Sequence, residues 1–128
     1  MITSLYMEHN LPFIKMRVTH NNKTLMLNKV LVDTGSASTI LKTEIVETIG
    51  IKPADDDIIG TISGVGGTET VYSKKIDKLS IDDLHIEKVE VDIGLMDYGF
   101  DFDGIVGMDI LIKIKSIIDL REQKLFIG

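Results

Sequence analysis

Between positions 13 and 18 apolar and polar residues alternate (FIKMRV), the period of a strand with one buried face. Asn21 and Asn22 follow within HNNK, a turn-forming pair, so 24–32 reads as the returning strand. It closes on Val30-Leu31-Val32, an unbroken apolar run that predicts burial on both faces. The stretch 43–49 (TEIVETI) is the one clear helical signal, with Thr43 as its cap, Glu44 in its first turn and Gly50 at its end. Strand arms at 58–62 and 68–72 enclose Ser63-Gly64-Val65-Gly66-Gly67, which predicts a hairpin with a glycine-rich tip. A further hairpin is expected from 75–81 and 84–93 around Asp82-Asp83. Ile105-Val106-Gly107 is a second buried strand ending in glycine, 108–112 suits a helical turn, and 117–120 with 124–127 forms a last hairpin. The pattern predicts an all-β chain with one or two short helices, a single domain over 1–128. A weak echo links its halves, each with a hairpin, a buried strand closing on a glycine motif, and a short helical signal.

Composition narrows the chemistry. An apolar fraction of 44% over 128 residues is enough for one folded core. A net charge of −6 argues against nucleic acid or an anionic membrane surface as partner. The absence of cysteine removes disulfides, thiolate metal sites and thiol nucleophiles. MITSLYMEHN lacks the basic start and apolar stretch of a signal peptide, and no run is long enough to cross a bilayer, so a cytoplasmic location is the expectation. His9, His20 and His85 lie in polar segments and receive no catalytic role. Asp55-Asp56-Asp57 and Asp82-Asp83 lack the spacing of a calcium loop and read as solvated turns. No metal and no cofactor are expected.

The candidate chemistry sits where the first buried run ends, in VLVDTGSAST (30–39). A carboxylate there borders low-dielectric surroundings, where its charge needs support. Thr34 and Ser36 offer hydroxyl donors, which favour an ionised carboxylate; burial or a second carboxylate opposes it. Gly35 lets backbone, ligand or water approach closely. On the tripeptide alone, a local turn explains Asp33-Thr34-Gly35 about as well as a site does. The hairpin 62–67 is either an inert surface loop or a lid that excludes water. The segment 103–109 (DGIVGMD) is by itself more easily core than site.

Together these segments resemble the retropepsin-like aspartic proteases, over about 13–127. Leu31-Val32-Asp33-Thr34-Gly35 is similar to the catalytic loop, and 62–67 to the flap. Gly104-Ile105-Val106-Gly107 resembles the strand that threads behind that loop, and Met108-Asp109-Ile110-Leu111 the helix after it. The resemblance implies a small closed acid-protease β-barrel acting as a homodimer on peptide substrates, because each chain holds half a site. This chain has a single Asp-Thr-Gly, and neither Asp103 nor Asp109 precedes Thr-Gly. It implies that Asp33 meets its copy across a two-fold axis. Thr34 would then bond across the dimer, and Gly35 would admit substrate backbone. Ser36 would support the outer oxygen of Asp33, and Ser63, Gly64, Val65, Gly66 and Gly67 would cover the substrate. Ile105 and Val65 would line apolar subsites, and 2–7 with 124–127 would form the dimer seam.

The chain departs from the retroviral pattern at Ala37 and Ser38, where an aspartate usually anchors substrate backbone. It is also longer, mainly over 74–99. The loop 95–102 (LMDYGFDF) carries Tyr98, Phe100 and Phe102; these either line the cleft or pack the loop onto the core, and packing is expected for at least two of them. Two other readings stand beside the protease. One is a non-catalytic peptide-binding or dimerisation module of the same fold. The other is a phosphate-binding loop of the actin-like ATPase kind, for which Asp33, Gly35 and Ser38 have suitable spacing, although the chain lacks the length and the second phosphate loop.

Overall fold

The computed structural model describes residues 1–64, 67–99 and 101–128. The strands are β1 (Ile2–Ser4), β2 (Tyr6–Glu8), β3 (Leu11–His20), β4 (Lys23–Val32), β5 (Ile40–Lys42), β6 (Ile59–Gly64), β7 (Gly67–Ile81), β8 (Leu84–Gly94), β9 (Gly104–Val106), β10 (Ser116–Asp119) and β11 (Lys124–Ile127). The helices are α1 (Thr43–Val46), continued by a 3-10 turn at Glu47–Ile49, and α2 (Met108–Lys113).

Turn chemistry sets the hairpins. Asn21 and Asn22 both adopt positive φ (50° and 63°), the conformation a two-residue turn needs to match strand twist, and His20 pairs with Lys23 across them. Asp82 does the same at φ 48° between Ile81 and Leu84, which face each other on β7 and β8. A turn at His9 and Asn10, also at positive φ, folds β2 onto β3.

Eight strands join in the order β2-β3-β4-β9-β5-β8-β7-β6, and β3 also pairs with β7. That last pairing, through Arg17–Ser80, Val18–Leu79 and Thr19–Lys78, closes β3, β4, β9, β5, β8 and β7 into the expected barrel and removes most free edges. The two apolar runs lie side by side. β4 and β9 pair in parallel, Val30 with Gly104, Leu31 with Ile105 and Val32 with Val106. The barrel interior is filled by Ile14, Met16, Leu27, Val30, Leu41, Ile76, Leu79, Val106 and their neighbours. A second apolar cluster, Phe13, Ile40, Met96, Phe102 and Ile105, lies apart from it.

Some elements differ from the pattern reading. The arms expected at 68–72 and 75–81 are one strand, β7, of 15 residues. Its first part pairs with β6 and its second with β8, so Ser73 and Lys74 are bonded on one edge or the other and the strand does not break. Thr43 does not cap α1. β5 continues to Lys42, which pairs with Gly94 and is the extended residue before the helix, so Thr43 already lies in the first turn. Gly50 does end this helical segment, in the left-handed conformation at φ 86°. The terminal segments pair within the chain. β11 is the centre of a three-stranded sheet, with β1 on one edge and β10 on the other.

β9 and the start of α2 run behind the loop 33–39. The Asp33 N–H donates to the Val106 carbonyl (3.0 Å), and the Met108 and Asp109 N–H groups donate to the carbonyls of Ser36 (2.8 Å) and Ala37 (3.2 Å). The crossing requires a residue without a side chain. A Cβ on Gly107 would lie 2.4 Å from the Ser38 carbonyl oxygen and 2.8 Å from that of Ser36, both backbone atoms that cannot yield cheaply. Gly107→Ala is therefore expected to lower stability by more than about 3 kcal/mol or to prevent folding, read from the urea midpoint and the yield of folded protein.

Candidate active site

The site grows from the end of β4. Asp33 leaves the barrel half-buried, while Thr34 and Gly35 are exposed. One carboxylate oxygen of Asp33 accepts the Gly35 N–H at 2.9 Å, and the Ser36 N–H donates to the Asp33 carbonyl at 3.2 Å. These local bonds orient the carboxyl group and leave Thr34 at the surface. Beside Thr34 runs a groove of about 260 Å³ lined by Met108, Leu111, Ile112, Lys115, Ser116 and Ile118.

The Ser36 hydroxyl does not reach Asp33. It donates to the Ser38 carbonyl at 2.7 Å, because the loop turns back on itself so that α2 can pass behind it. Ser36 thus braces the loop rather than supporting the carboxylate directly. A stronger brace lies at the end of the loop. Asp109, considered only as a spare acid, accepts the Thr39 hydroxyl (2.7 Å) and the Thr39 N–H (3.1 Å), and the Thr39 oxygen accepts the Gly107 N–H (3.1 Å). Thr39 is fully buried. The available signal was an acid two residues after the second glycine motif, matched by the last hydroxyl of VLVDTGSAST. Asp103 is likewise structural: it accepts the Lys29 N–H through its side chain (3.1 Å) and the Lys42 N–H through its carbonyl (3.1 Å).

Across the opening, β6 and β7 pair up to Gly64–Gly67, so the expected glycine-rich hairpin is present; Val65 and Gly66 lie outside the described residues. Ile62 and Leu31 are partly buried against the second apolar cluster. Ile105 is 5% exposed, which puts it behind the cleft wall rather than on its surface. In the loop after β8, Phe102 is buried (3% exposed) and its ring lies 6.2 Å from that of Phe13, the packing role expected of it. Phe100 lies outside the described residues. Tyr98 stays 38% exposed. Burial raises its phenol above the usual range, reinforced by the hydrogen bond to Glu69, by the charge of Glu69 and by that of Asp33. Among the described residues no group of three or more His, Asp or Glu side chains converges as metal ligands would.

A family model described as aspartyl protease matches residues 16–110, and the chain belongs to that family. A retropepsin-like aspartic protease from Rickettsia conorii superposes with a TM-score of 0.68 at 20% identity, covering 98% of this chain and 95% of that one. EIAV protease, solved in complex with the inhibitor HBY-793, superposes at 0.64 with 22% identity, covering 90% and 98%. A search of curated proteins gave no match. The fold is the retropepsin fold, which sets aside the actin-like reading of Asp33, Gly35 and Ser38. Among the described residues no helix is long and apolar enough to cross a membrane.

Two substitutions separate the braces. Asp109→Ala strands the buried hydroxyl and N–H of Thr39 and is expected to cost about 2–3 kcal/mol, with Asp109→Asn intermediate. Ser36→Ala is expected to cost about 1 kcal/mol and, since its hydroxyl faces Ser38, to leave the acid limb of any pH–rate profile unmoved. Urea denaturation checks the first and a pH–rate profile the second.

Proposed function

We propose that the chain is an aspartic endopeptidase that works as a homodimer, with one Asp33 from each copy. The observation that carries this reading is half a site: one Asp-Thr-Gly per chain, its carboxyl oriented by Gly35 and its loop fastened from behind by β9 and α2, opening beside a flap-like hairpin. The exposed Thr34 and the groove between α2 and β10 beside it give the second copy a place to sit. Both edges of β11 are paired within the chain, which favours a seam that leaves that strand in its own sheet. The seam forms around Thr34, α2 and the outer edge of β10, where Ile112 and Ile117 are exposed.

In that dimer the two Asp33 carboxyls lie about 3 Å apart and hold one proton between them, a property of aspartic proteases as a class rather than a measurement on this chain. The ionised carboxylate takes a proton from a water between them, and the water oxygen bonds to the carbonyl carbon of the scissile peptide. The protonated partner donates to the carbonyl oxygen as it gains charge. Return of a proton to the amide nitrogen breaks the C–N bond and frees an amine and an acid. Ser63, Gly64, Val65, Gly66 and Gly67 cover the substrate, whose extended backbone adds to the hairpin by strand-like bonding. Apolar side chains beside the cut rest on Leu31 and Ile62, with Ile105 as their backing. Asp33→Asn is expected to lower cleavage of a peptide library by about 10²–10⁴-fold while sedimentation still shows the dimer. Wild-type protein that binds peptides but cuts none at any pH would instead establish the non-catalytic module.

A further inference from the structure

Glu69 lies on the returning strand of the hairpin, opposite Ile62, yet its carboxylate bonds outside the hairpin. It accepts the Met96 N–H at 2.6 Å and the Tyr98 hydroxyl. Gly94 leaves the space for it, since a Cβ there would lie 2.7 Å from a Glu69 carboxylate oxygen. Met96 adopts a left-handed φ of 56° with its side chain fully buried, a conformation unfavourable for a non-glycine residue unless its surroundings hold it. The Tyr98 ring lies 5.9 Å from Phe102, which in turn packs on Phe13. Tyr98 is therefore fixed at its hydroxyl by the hairpin and at its face by buried aromatics. It keeps an exposed side, and the aromatic cluster it rests on reaches through Phe13 to Leu31, the strand partner of Phe13 two residues before Asp33.

We propose that Tyr98 is a specificity-determining residue of the cleft, a fixed aromatic platform for a flat apolar side chain next to the scissile bond, and that Glu69 is the positioning residue that sets it when the hairpin is in place. This rests on the endopeptidase reading. A ring held at both ends needs no further ordering when a second ring stacks on it, and offset stacking rewards a phenyl group over a methyl. The carboxylate links substrate selection to the flap, because it is borne by a strand of the hairpin and both of its oxygens bond to the wall.

The test uses two peptides that differ only in Phe or Ala beside the cut. Wild type is expected to favour the Phe peptide, and Tyr98→Ala to lose about three- to tenfold of that preference. Glu69→Ala and Tyr98→Phe, which each break the bond, are expected to raise KM for the Phe peptide by up to about tenfold with kcat little changed. Their combination should be no worse than either alone. Glu69→Gln, whose amide oxygen still accepts, should restore most of the loss. Hydrogen exchange at the Met96 amide should quicken in Glu69→Ala and not in Glu69→Gln, a readout independent of turnover. Unchanged KM in Glu69→Ala, a Gln variant as impaired as the Ala variant, or equal effects of Tyr98→Ala on both peptides overturns the proposal alone. Failure of wild type to cut either peptide overturns the endopeptidase reading with it.

Discussion

The backbone contact between the loop 33–39 and the segment that passes behind it is what the rest of the site depends on. Asp33 is held through the Val106 carbonyl, Ser36 through Met108, and Ala37 through Asp109, so the loop is pinned at its start and its middle by one short stretch. Gly107 permits the approach by having no side chain, and Thr39 with Asp109 closes the far end. The loop is thereby fixed to one buried strand and a helix, and pre-organisation of this kind is what holds a side chain in an accurate position.

Much of this was legible in the residues. The continuous apolar runs at 30–32 and 105–106 predicted buried strands, and the structure sets them side by side in parallel. The turns at Asn21-Asn22 and Asp82-Asp83 are where their side chains suggested. The echo between the halves is loose: in one the hairpin strand β4 itself enters the glycine motif and β5 precedes α1, whereas in the other β9 follows the hairpin of β7 and β8 and leads directly to α2.

What the residues hid was long-range. Nothing local in Ser73 and Lys74 says that β7 continues, because the bonds that carry it through come from β8. The direction of the Ser36 hydroxyl depends on where Ser38 is pushed by α2, which lies some seventy positions away in the chain. The roles of Asp103 and Asp109 follow from the same distant packing. Ile105 looked like a lining residue because it is apolar and near the motif, and only the second cluster shows that Phe13, Phe102 and Met96 enclose it.

The unbroken length of β7 has a mechanical meaning. At about 3.3 Å per residue, the path along β7 from Gly67 to the barrel seam at Leu79 and Ser80 is about 40 Å. From Tyr72 onward that path is bonded to β8, so the hairpin arm stands on a footing at Tyr72 and Ile93 and not on the distant bonds to Arg17 and Val18. The part of β7 that β6 alone holds, from Gly67 to Val71, is short, and the rest of the strand shares the rigidity of the barrel wall.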